Sequence, residues 1–149
     1  MIERTIRIEW YQDARFGMFI HFGAYATAAR GEWVRSVEEM SVHDYQKYID
    51  AFDPDDCDMK EWARMAKKAG MKYAVMTAKH HDGYALFDTK LSDYKTRRDF
   101  VAEFLEAFRA EGLHVGLYFS LIDWHHPDYP HYHDRHHPER NNEAYKNVK

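Results

Sequence analysis

The residues with chemistry to offer are eleven histidines and a few carboxylates, several of them placed directly after short apolar runs. His21 lies inside Gly17-Met18-Phe19-Ile20-His21-Phe22, and His80, His81 and Asp82 follow Lys72-Tyr73-Ala74-Val75-Met76-Thr77. Tyr118 and Ser120 stand at the end of His114-Val115-Gly116-Leu117-Tyr118-Phe119-Ser120. Each run is bounded by turn or polar residues, the pattern of a buried parallel strand. Polar residues at the ends of such strands are where parallel α/β folds place their chemistry. An imidazole there can pack and hydrogen-bond, ligate a metal, transfer a proton or bind a hydroxyl.

The metal reading needs ligands that converge on one ion. The pairs His125-His126 and His136-His137 and the triplet His131-Tyr132-His133 lie in a loop rich in Pro, Asp and Tyr. Adjacent histidines seldom point at one ion, and the first strand carries one histidine rather than a His-x-His pair. The single Cys57 excludes an internal disulfide framework and a multi-thiolate zinc site. No physiological metal is expected, only adventitious zinc or nickel binding, and His131 and His136 are expected to play no part in sugar binding.

Carbohydrate binding accounts for more of the composition. A sugar offers hydroxyls that need polar partners and an apolar C–H face that stacks on a ring. His21, His80, His81, Glu32 and Tyr118 supply the polar partners, and Trp33, Trp124 and Tyr84 on adjoining loops supply rings. Trp62, at helical spacing, reads as core.

The elements that position these residues follow from periodicity. Ser41 caps a helix that runs to about Phe52, where Asp53-Pro54 stops it. Asp58 and Glu61 open a second, with Met59, Trp62, Ala63, Met65, Ala66 and Ala69 on its apolar face and Gly70 at its end. A third begins near Asp99, buries Phe100, Phe104, Leu105 and Phe108, and closes at Gly112. A fourth is expected from Asn141 or Asn142 to Lys149. Strands alternating with helices imply an α/β fold of βα units around a parallel sheet. Connections after the strands are long and those before them short, which puts the functional loops at one end. Strand alternation sets Met18, Ile20, Phe22, Val115, Leu117 and Phe119 against the helices. Phe19 and Met76 are expected on the opposite, uncovered side.

At this point the motifs resemble a known family. Arg15-Phe16-Gly17-Met18-Phe19-Ile20-His21-Phe22-Gly23, Gly31-Glu32-Trp33, Lys79-His80-His81-Asp82-Gly83-Tyr84, and Gly116–Ser120 through Asp123–Tyr129 are similar to the α-L-fucosidases of glycoside hydrolase family 29. The resemblance runs from about Trp10 to the end of the chain. It implies a retaining hydrolase that removes terminal α-L-fucose through a covalent intermediate, without a cofactor. It also places His21, Glu32, Trp33, His80, His81 and Tyr118 around the sugar. Phe119 stands where many members have a second tyrosine, and Phe22 where relatives usually have tryptophan.

Length departs from that pattern. A complete (β/α)8 barrel takes roughly 250 residues, and this chain has 149. The expectation is one domain over 1–149: a truncated (β/α)8 TIM barrel of three to four βα units, completed by self-association, most simply as a dimer. The resemblance puts the nucleophile on the fourth strand, leaving Glu32 as the candidate carboxylate in the pocket and Asp82 and Asp123 as nearby substitutes. The alternative is a non-catalytic fucose-binding or folding module that needs a complementary chain. The expected ligand is a fucosylated glycan or L-fucose. A net charge of −4 argues against a nucleic-acid partner. The charged Met1–Arg7 segment is unlike a signal peptide and no apolar run is long enough for a membrane span, so a cytoplasmic location is expected.

Overall fold

The computed structural model describes residues 2–143. Three strands, β1 (Gly17–Ile20), β2 (Tyr73–Lys79) and β3 (His114–Phe119), form one parallel sheet in the order β1-β2-β3. Phe19 pairs with Val75 and Val75 with Gly116, so these three residues share the face turned away from the helices. The helices are α1 (Ile2–Ala14), two single turns α2 (Tyr25–Ala28) and α3 (Val34–Val37), α4 (Val42–Asp50), α5 (Met59–Lys68) and α6 (Phe100–Ala110).

The caps act as the sequence implies. Ser41 Oγ accepts from the Asp44 amide at 3.0 Å, and Asp58 Oδ1 accepts from Lys60 and Glu61 at 2.9 and 3.0 Å. Asp99 Oδ1 accepts from Ala102 at 2.8 Å. Each satisfies amides that the first helical turn leaves without partners. Helices α5 and α6 then bury Met59, Ala63, Phe104 and Phe108 against Ala74 and Met76, with Met18, Ile20, Phe22, Trp62 and Val115 packed around them.

Several expectations are corrected here. Met76 is fully buried beneath the helices, because β2 alternates so that Val75, not Met76, shares the face of Phe19. Leu117 and Phe119 are 45% and 51% exposed, since β3 is an edge strand and no helix among the described residues covers its far side. Helix α1 and the two short turns lie where no apolar period was legible; α1 sends Trp10 to stack on His114 at 4.2 Å below the sheet. The fourth helix expected from Asn141 or Asn142 falls mainly outside the described residues. Among those described, no helix is long and apolar enough to cross a membrane.

Candidate active site

The cup forms where the chain leaves the three strands. After β1, the buried Thr77 hydroxyl donates to the Phe22 carbonyl at 2.8 Å and accepts from the Phe22 amide at 3.0 Å. Its remaining lone pair takes the Tyr25 hydroxyl, also at 3.0 Å. This staple fixes the segment that carries His21, whose exposed ring stacks on Phe19 at 4.7 Å.

His80 is buried at the centre. Its ring centroid lies 5.7 Å from His21, 5.4 Å from Tyr25, 5.7 Å from Tyr118 and 4.3 Å from His81. Burial, helped by the neighbouring imidazoles and Lys79, pushes its pKa down to about 3, so the ring is neutral at physiological pH. His81 is buried too, and burial lowers its pKa; Asp134 and Glu32 act in the opposite sense. Trp33 packs on the His81 ring at 4.8 Å and Trp124 at 5.2 Å. Glu32, half-buried, enters beside Trp33 from the same loop.

Two of the three candidate carboxylates are already engaged. Asp82 is buried, its Oδ2 accepting from the Tyr45 hydroxyl at 2.8 Å and its Oδ1 from the Tyr84 amide at 3.2 Å. Burial raises its pKa to about 6 against the opposing pull of those hydrogen bonds. Asp123 takes Lys79 Nζ at 3.1 Å on Oδ2, and the His125 and His126 amides at 3.0 and 3.1 Å on Oδ1. These are turn-building roles.

The ring residues divide differently from the sequence expectation. Trp33 reaches the cup, whereas Trp124 is 1% exposed and floors it, and Tyr84 is buried on the helix side against Phe52 and Tyr94. His136 is not remote: its ring lies 5.4 Å from that of Trp33. Sequence reasoning also missed Tyr25, Asp134 and the orienting role of Ser120. The Ser36 hydroxyl donates to the His136 carbonyl, and Arg140 Nη1 donates to the Ser36 carbonyl at 3.2 Å. Contacts about a hundred positions apart leave no local signal. Among the described residues, no group of three or more His, Cys, Asp or Glu side chains is placed to hold a metal.

A cup of imidazoles, one tyrosine hydroxyl and an indole wall suits an uncharged, hydroxyl-rich ring. Residues 2–149 match the family model described as Alpha-L-fucosidase. The chain belongs to the α-L-fucosidase family. The fold superimposes on α-L-fucosidase isoenzyme 1 from Paenibacillus thiaminolyticus with a TM-score of 0.94 at 58% identity, over 98% of this chain and 36% of that one. It also matches a Bacteroides thetaiotaomicron GH29 α-L-fucosidase, solved as a trapped covalent intermediate, with a TM-score of 0.77 at 36% identity, over 82% and 31%. The α-L-fucosidase of Dictyostelium discoideum is 34% identical over 148 residues, 80% of this chain and 32% of that protein. The chain thus spans about one third of the length of the fucosidases it matches.

Proposed function

We propose that this chain builds much of a fucose-binding site and binds L-fucose as the terminal unit of a fucosylated glycan. The observation that carries this reading is the convergence of His21, His80, His81 and Tyr118, from the ends of three adjacent strands, with Trp33 as a wall. Membership of the α-L-fucosidase family supplies the sugar.

Hydrolysis demands more. A retaining mechanism uses two carboxyl groups about 5–5.5 Å apart. With Asp82 and Asp123 committed to turns, Glu32 is the remaining candidate, so turnover by this chain is slow or requires a carboxylate brought by assembly. That same engagement of Asp82 and Asp123 favours a second reading, a binding half-barrel that works with a complementary chain.

Titration with L-fucose tests the first reading. We expect a Kd on the order of 1 mM, as befits a small polar ligand, weakened at least fivefold in His80→Ala and in His81→Ala. Undiminished binding in both variants overturns the site. On a chromogenic α-L-fucoside, any turnover is expected to vanish in Glu32→Gln; fast hydrolysis surviving that change would remove Glu32 from the chemistry.

A further inference from the structure

Arg35 is a charged side chain that the cup does not use. It lies two residues after Trp33, on the single turn α3, and is 1% exposed. Its Nη2 donates to the Trp124 carbonyl at 3.3 Å, and its guanidinium carbon lies 5.3 Å from the centre of the Tyr45 ring. Among the described residues, its Nε and Nη1 have no hydrogen-bond partner and it enters no ion pair. Taking a guanidinium out of water is costly, and one hydrogen bond with one cation–π contact offsets only part of that cost. Apolar replacements of buried charged groups are often neutral or stabilising. Stability alone therefore does not account for a cation here.

What Arg35 holds is a triangle of rings. Trp33 lies 4.8 Å from His81 and 5.4 Å from Trp124, and His81 lies 5.2 Å from Trp124. The backbone fixes the His81–Trp124 side, because the Trp124 amide donates to the His81 carbonyl at 2.8 Å. Among the described residues, the bond from Arg35 Nη2 is the one hydrogen bond that joins α3 to Trp124. Ser36 on the same turn is tied to His136 and Arg140 instead. The Tyr45 ring backs the guanidinium and is itself anchored, through its hydroxyl, to Asp82. A planar guanidinium can face a ring and donate to a carbonyl at once, which a lysine ammonium does less well.

We propose that Arg35 is a positioning residue: by joining α3 to the Trp124 carbonyl it sets Trp33 and Glu32 against His81, and so sets the width of the sugar cup. It touches no ligand and acts only through the two indoles. The proposal rests on the cup being the fucose site, but the ring geometry that Arg35 maintains is readable without sugar.

The test reads that geometry from the whole chain. Two indoles 5.4 Å apart and inclined at 63° couple as excitons, which gives a paired positive and negative band in far-ultraviolet circular dichroism. Trp33→Phe assigns this couplet to the pair by abolishing it. Arg35→Met is expected to fold, to lose at least half of the couplet, and to bind L-fucose at least fivefold more weakly. A couplet that survives Arg35→Met, or an affinity that does, overturns the proposal. A lowered urea midpoint with couplet and affinity intact is what a merely structural arginine would give, and it overturns the proposal too. Should Arg35→Met not fold, Arg35→Lys decides, since it keeps the charge and loses the planar fork: couplet and affinity both reduced support the proposal, and either one at the wild-type level overturns it. If the unaltered chain binds no L-fucose, the proposed function fails instead. The couplet alone then judges Arg35, supporting the proposal if it is lost in Arg35→Met and defeating it if it is kept.

Discussion

His81 Nδ1 lies 2.6 Å from Ser120 Oγ, and that hydroxyl donates its own proton to the Ile122 carbonyl at 2.9 Å. Ser120 therefore accepts from the imidazole, which fixes the proton of His81 on Nδ1 and leaves Nε2 as a lone pair. One residue from the end of β3 thus sets the tautomer of another just past β2.

Removing this hydroxyl gives the first prediction. Ser120→Ala leaves a buried N–H without its partner, a loss of about 1–3 kcal/mol in stability. Binding of L-fucose should weaken severalfold, and ¹⁵N spectra of His81 should show the Nδ1–H tautomer losing its dominance. Ser120→Thr, which keeps the hydroxyl, should restore both. An unchanged tautomer in the alanine variant would show that other contacts hold the ring.

The titrating groups give the second. His80 and His137 have pKa values near 3 and 4 in the folded protein, both lowered from 6.5 mainly by burial. The unfolded chain therefore takes up protons that the folded one refuses, and their stabilisation, full above pH 6.5, is lost as the pH falls towards 4. Asp82 opposes this, since a pKa raised to about 6 means that the folded state binds its proton more readily between pH 4 and 6. Burial lowers His81 and His125 in the same sense, so four histidines against one aspartate favour unfolding on acidification. Urea midpoints should fall from pH 7 to pH 5. In Asp82→Asn, which lacks the opposing group, the fall should be steeper.

Much of the fold was readable because burial writes periodicity into sequence. The capping residues Ser41, Asp58 and Asp99 and the apolar faces behind them carry their helices in local spacing. The strand runs carry theirs in the same way. What was not readable depends on what lies across the fold. Trp124 looks like Trp33 in sequence, yet the peptide that follows β3 tucks it under His81, its amide donating to the His81 carbonyl at 2.8 Å. Asp82 has the strand-end placement of a catalytic carboxylate, but Tyr45, which occupies it, lies 37 positions earlier on α4. His136 reaches Trp33 only because Ser36 and Arg140 tie the two loops together.

The third prediction concerns the turn after β2. Gly83 has φ +85°, and a Cβ built there would collide with Asp123 Oδ1 and press on His125 Cβ. Gly83→Ala therefore imposes backbone strain of about 1–3 kcal/mol and displaces Asp123 from Lys79 and from the two amides it caps. Thermal unfolding should shift down by several degrees, and L-fucose affinity should fall because the loop carrying Trp124 moves with Asp123. Gly31, also at positive φ but with nothing within 4 Å of an added Cβ, provides the control. Gly31→Ala should carry the backbone cost alone.

The fourth concerns assembly. Strands β1 and β3 are sheet edges, with backbone groups available for pairing. Phe19 is 52% exposed on the open face, and Leu117, Phe119 and Leu121 are exposed at the β3 edge. Apolar side chains exposed beside open strand edges favour self-association. A second copy can cover them with the same surface, which makes a twofold dimer the simplest closed arrangement. Sedimentation at micromolar concentration should show a dimer or larger species, and Leu117→Lys with Phe119→Lys should shift it towards monomer. If assembly also supplies a missing carboxylate, turnover of a chromogenic fucoside should fall on dilution in parallel with the dimer fraction. A cooperatively folded monomer at every concentration, with Phe19 and Phe119 still in water, would show that the open sheet tolerates solvent and that any turnover arises within one chain.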